Sequence, residues 1–167
     1  MGTTPLRLRG RHRLGGARKA TAIVHGDTSM SIQPVSTSEY TTANREWLAS
    51  LHGTDSTDTI TLDLNLFTEG VHYQCGECDQ PYGRVFSGVP VGKVSESGLY
   101  GPYDPEAHCG RQVLRGFVFA EAPFAPGQTR VPAALLWHGA VKASKVPGGI
   151  DVSQLAWHPR AALIRFV

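Results

Sequence analysis

Cys75 and Cys78 are separated by two residues in "QCGECD", a spacing that points two thiolates at one ion across a tight turn. A third thiol, Cys109, directly follows His108, and His72 lies just before the pair. The first chemistry these residue types suggest is tetrahedral zinc, with Cys75, Cys78 and Cys109 as sulfur ligands and His72 or His108 as the fourth. A full zinc signal needs a second CxxC or a pair of histidines at ligand spacing, and the adjacent His108 and Cys109 make an awkward pair of ligands for one ion. A CxxC also supports redox chemistry, which relies on a helix N-terminus to lower the thiol pKa. The flanks here, "VHYQ" and "DQPYGRVFSG", read as loop. Thiols without a ligand therefore take precedence, and no metal or cofactor is assigned.

Other catalytic patterns are missing from the sequence: there is no G-x-S-x-G, no phosphate loop ending in Gly-Lys-Ser/Thr, no G-x-G-x-x-G and no His-Glu-x-x-His. Seven histidines and many Ser and Asp residues permit a dispersed triad, but nothing selects one. His138, in "LLWHGAV", reads as a hydrogen-bonded structural histidine where a strand meets a turn. No catalytic residue is assigned.

The elements that must position these residues are mostly strands. Gly and Pro supply 30 of 167 residues, above the roughly 12% of average proteins, so turns are frequent. In "TITLDL" (59–64) Ile60, Leu62 and Leu64 alternate with polar residues, the period of a half-buried strand. Further strands are expected at 91–95, 112–120, 133–139, 140–144 and 162–167, with Gly139 as a turn or bulge. Short helical turns are expected near Asn44 and after Asp151, which can cap one before Pro159. Residues 70–90 and 98–110 read as long loops, and both hold cysteines. The expected fold is mainly β with little helix, and the length suits one domain with a real core.

Charge is uneven along the chain. Residues 1–29 carry six basic residues against Asp27 alone, whereas the remainder carries 10 basic and 13 acidic ones. Residues 1–38 have no sustained apolar periodicity and read as a disordered arm. A solvated tail, or translated sequence upstream of an initiator at Met30, takes precedence over nucleic-acid contact for the basic run. No apolar run is long enough for a membrane span or a signal peptide, and three cysteines, an odd number, argue against a disulfide framework.

Several segments together resemble a known family. "EYTTANREWLASLHGTDSTDTITLDL" (39–64), "GVPVGKVSESGLYGPYDPEAHCGRQVLRGFVF" (88–119), "AALLWHGAVKASKVPGGID" (133–151) and the closing "ALIRFV" are similar, in the same order, to the head decoration proteins of tailed bacteriophages, the lambda protein D type, as found in phages of actinobacteria. The resemblance spans residues 39–167. It implies a small β-tulip domain without enzymatic activity. Such proteins form homotrimers on the outside of the expanded head, where they bind the major capsid protein and stabilise the shell against packaged DNA. Localisation would then be the virion exterior, after the host cytoplasm. By the same analogy the arm adds a strand to an open sheet edge, and Tyr40, Thr41, Thr42, Asn44 and Trp47 are the expected capsid contacts. The longer basic arm, the "QCGEC" loop and His108-Cys109 depart from the family's usual pattern. The two cysteine-bearing loops are hypothesised to meet and share a metal or a disulfide.

Overall fold

The alternating run at 59–64 becomes one of the longer strands. β1 (Asp58–Asp63) buries Ile60 and Leu62 and exposes Thr59 and Thr61, as its period of two requires. The structure, a computed structural model, describes residues 44–77 and 80–167, with Trp157 by its backbone only; these residues belong to one unit, Tyr40–Val167. The strands after β1 are β2 (Tyr73–Gln74), β3 (Gly83–Val85), β4 (Pro90–Lys93), β5 (Tyr100–Pro102), β6 (Val113–Val118), β7 (Ala122–Phe124), β8 (Arg130–Leu136), β9 (Gly139–Val141), β10 (Ala156–Trp157) and β11 (Ile164–Phe166). The expectation of a mainly β fold with little helix holds: every helical element among the described residues is a three-residue 3₁₀ turn.

Five strands close into a ring. β1 pairs antiparallel with β8, β8 with β6, β6 with β4 and β4 with β5, and β5 returns to β1 through a parallel bridge between Tyr100 and Leu62. β10 runs parallel beside the start of β6, where β8 has not yet joined it. The interior is filled by Ile60, Leu62, Val91, Val118, Val131 and Leu135, and the small sheet β2-β3-β7 adds Val85, Ala122 and Phe124 to that cluster. Successive residues on a strand face opposite ways, so β6 and β8 also carry Phe117 and Leu136 outward, into a second buried cluster with Trp47, Val141, Val146, Ala161 and Ile164. β9 lies over this outer core, with β11 parallel on one edge. Residues 47–49 run antiparallel on the other edge: Ala49 N–H donates to Ala140 O at 2.9 Å and Lys142 N–H to Trp47 O at 2.7 Å.

Several expectations change in detail. The helix candidate near Asn44 is a single turn that Asn44 begins by accepting Glu46 N–H at 3.0 Å. Asp151 does cap a turn, Val152–Gln154, and β10 follows it directly. The strand expected over 140–144 ends at Val141, because Ala143–Lys145 turns back as 3₁₀. Gly139, expected as a turn or bulge, is instead the first residue of β9, with φ +132 and paired to Ile164. The loops expected at 70–90 and 98–110 contain β2, β3 and β5, held by neighbouring strands rather than by their own pattern. Among the described residues no helix is long and apolar enough to cross a membrane. The arm expected over residues 1–38 lies outside the described residues.

Leu62 is fully buried inside the ring, while Leu51 is 75% exposed. Leu62→Ala should lower the free energy of unfolding by about 2–5 kcal/mol in a denaturant titration. Leu51→Ala should change it by less than about 0.5 kcal/mol.

Candidate functional site

The residues that carry the family resemblance converge on two places. The first is the stretch of residues 47–49, bridged to β9 at Leu48. Trp47 is 1% exposed, and its ring stacks on Phe117 with centroids 5.7 Å apart. A buried indole N–H needs an acceptor, and Ser87 Oγ provides one at 3.0 Å. Ser87 then donates to Phe119 O at 2.8 Å. The ring lies so close to Gly88 that a Cβ there would stand 2.5 Å from the indole, and Gly88 has φ +88, so only glycine fits. Two residues earlier, the Arg45 guanidinium sits 4.4 Å over the Phe119 ring. Trp47 was expected as a capsid contact. Its side chain instead belongs to the core, because its apolar face finds Phe117 and its N–H finds Ser87. Asn44 is exposed, and Tyr40, Thr41 and Thr42 lie outside the described residues.

Just beyond, "HG" occurs twice, at 52–53 and at 138–139, and the two dipeptides lock together. His138 covers Gly53, where an added Cβ would meet His138 O at 2.6 Å and its ring at 2.8 Å. His52 O covers Gly139 in turn, at 2.7 Å from an added Cβ. The two imidazoles meet edge to face at 5.9 Å. His138 is thus structural, but by packing: its Nδ1 is enclosed without a hydrogen-bond partner, contrary to the hydrogen-bonded role expected of it. Beside it, Trp137 carries the Arg160 guanidinium 4.5 Å over its ring, and Arg160 pairs with Asp58 at 2.7 Å.

The second convergence explains the spacing in "GKV-x₄-LYGPYDP-x₄-GRQ". Gly92 and Gly101 are direct partners across β4 and β5 and form a trough without side chains. The backbone of Arg111 lies against Gly92, and its side chain against Gly101. Its guanidinium reaches Pro102 O at 3.1 Å and Asp104 at 3.7 Å. Gln112 accepts Gly110 N–H at 2.7 Å, and Ser95 N–H donates to Cys109 O at 2.8 Å. These residues clasp the 94–111 loops to the barrel.

The thiols occupy different surroundings. Cys75 is exposed after β2, and a hydrogen bond with the Glu69 carboxylate, followed by desolvation and the Glu69 charge, raises its pKa. Cys109 is exposed beside Arg111, whose backbone and guanidinium hydrogen bonds lower its pKa. Both are free thiols, so the hypothesised link does not join Cys75 to Cys109. Cys78 lies outside the described residues. Among the described residues no group of three or more His, Cys, Asp and Glu side chains could hold a metal ion. His72 is engaged elsewhere, accepting Thr68 N–H at Nδ1, 3.0 Å away. His108 is exposed.

No family model, curated protein or solved structure matches the chain.

Sequence reasoning missed Ser87 and Gly88 as partners of Trp47, and Arg45 as the partner of Phe119. The repeated His-Gly dipeptide was a signal for the lock.

Ser87→Ala would leave the indole N–H without its acceptor and should cost about 1–3 kcal/mol of unfolding free energy. Gly53→Ala should cost at least about 1–2 kcal/mol from its φ of +88 alone. Acid provides a separate test. His72 is lowered by burial, and His158, which accepts Arg160 N–H at 3.3 Å, is lowered by burial and by Arg115 and Arg160. At these imidazoles the folded chain binds fewer protons than the unfolded chain, so they subtract stability as the pH falls through 6.5. Unfolding titrations at pH 7.5 and about pH 5 should show a smaller loss for a His72→Gln/His158→Gln chain than for the parent.

Proposed function

We propose that the chain is a capsid decoration protein: a non-enzymatic structural component that binds the outer surface of an expanded phage head as a trimer. Its partner is the major capsid protein, at three-fold and quasi-three-fold positions, and its residence is the virion. The observation that carries this reading is where the resembling segments go. "WLASLHGTD" and "LWHG-V-x-ASK-P" are packed against each other at Trp47–Ala49, β9 and the two His-Gly pairs, and the third motif forms the Arg111 clasp. These residue types at this spacing have a common physical purpose, a β platform that holds Arg45 and Trp47–Ala49 firmly. Cementing asks for such a platform. One trimer touching several capsid subunits gains avidity from contacts that are individually modest, provided that their geometry is fixed.

The decisive experiment mixes purified protein with expanded and with immature heads and images both by electron microscopy. Density at the three-fold positions of expanded heads only is the expected result. Failure to bind expanded heads removes the proposal. Binding that is lost in about 1 M salt and requires residues 1–29 would favour nucleic-acid contact instead.

A further inference from the structure

β6 changes neighbours along its length. β10 lies parallel to it as far as Leu114, and β8 joins only at Phe117, so Arg115 falls in the gap between them. On the opposite edge Arg115 is the extra residue of a bulge, since Val91 pairs with Gly116 and Gly92 with Leu114, and a bulge re-aims the side chain that it leaves unpaired. His158 N–H donates to Leu114 O at 3.2 Å, which carries the parallel register of β10 one residue further and sets His158 beside Arg115. Arg160 follows closely. Its N–H donates to His158 Nδ1 at 3.3 Å, and its guanidinium is held by the Trp137 ring at 4.5 Å and by Asp58 at 2.7 Å.

Charge is unbalanced at this place. Arg160 has Asp58, but the half-buried Arg115 makes no ion pair among the described residues, and its Nε is enclosed without a hydrogen-bond partner. Arg111 also has an enclosed Nε, yet its guanidinium reaches Pro102 O and Asp104. A guanidinium drawn partly out of water without a counter-charge is costly, and its planar fork of donors matches an oxyanion. His158 adds a further donor. Its Nδ1 is spent as an acceptor, so the proton of the neutral imidazole stands on Nε2. Burial, then the charges of Arg115 and Arg160, lower its pKa and keep it neutral at neutral pH, which leaves Arg115 and Arg160 against the single carboxylate of Asp58.

We propose that Arg115 and His158 form a binding site for a small oxyanion of the phosphate type, with Arg160 at its margin. The site is independent of the capsid reading. The probe is inorganic phosphate, titrated into the full chain at neutral pH with sodium chloride adjusted to constant ionic strength, and the readout is NMR. Saturable amide shifts confined to residues 114–116 and 156–160, with a Kd in the millimolar range, are expected. Arg115→Gln should weaken binding at least about tenfold, whereas Arg165→Gln, at an exposed position on β11, should leave it unchanged. The parent chain supplies a second readout that needs no variant: bound phosphate should raise the His158 pKa and leave that of the exposed His108 where it was. The proposal is overturned by any of three results: no saturable shift in the parent chain, equal affinity in the Arg115→Gln chain, or a His158 pKa that phosphate moves no more than that of His108.

Discussion

Burying an indole to 1% exposure demands an acceptor for its N–H and a backbone its face can approach, and residues 87 and 88 supply both for Trp47. Much of the structure hangs on that arrangement. Ser87 precedes β4 and passes the hydrogen bond on to Phe119 O just after β6, so a single relay joins Trp47 to the barrel. Phe119 in turn holds Arg45 by its ring and Ala134 by its N–H, which ties the same relay to β8. A side chain that the family resemblance placed at the capsid contact thus becomes part of the outer core. The same role limits what can vary nearby: any side chain at Gly88 would drive the indole out and leave Ser87 and the Phe117 ring facing a void.

A five-stranded ring has little room inside, which explains why its interior uses medium-sized side chains, Val, Ile and Leu. The small interior leaves a large share of burial to the outside of β6 and β8. There Leu114, Phe117 and Leu136 need a cover, which β9, β11 and residues 47–49 provide. The two His-Gly pairs settle how closely that cover sits. Each glycine removes the Cβ that would hold the opposing loop away, so the loop before β1 and the turn before β9 meet at backbone distance. On the other side of the ring Gly92 and Gly101 serve the same end for Arg111.

β1 was legible in the sequence because its residues alternate, and β6 and β8 were located from apolar runs bounded by turn residues, although β8 begins three residues earlier than expected. β3, β5 and β7 were not. Each has three residues and includes Gly or Pro, and each is a strand only because a neighbouring strand offers hydrogen bonds. Trp47 was expected at the capsid surface through the family resemblance, and its burial depends on Phe117 and Ser87, 70 and 40 residues away, which the local sequence does not show. The cysteines drew attention through their spacing. The structure gives Cys75 an acidic neighbour and Cys109 a basic one, a distinction that spacing does not carry.

Closing the ring also disposes of most strand edges, and the way the remaining ones are treated bears on how such a protein tolerates crowding. β8 is unpaired by β6 along its first half, yet Pro132 stands in that stretch and has no N–H to offer an incoming strand. Pro123 does the same within β7. A chain held at high local density beside identical copies, as a capsid surface would hold it, is exposed to sideways strand pairing at every open edge. Prolines at these two positions withhold the backbone donors that would let a foreign strand extend the sheet.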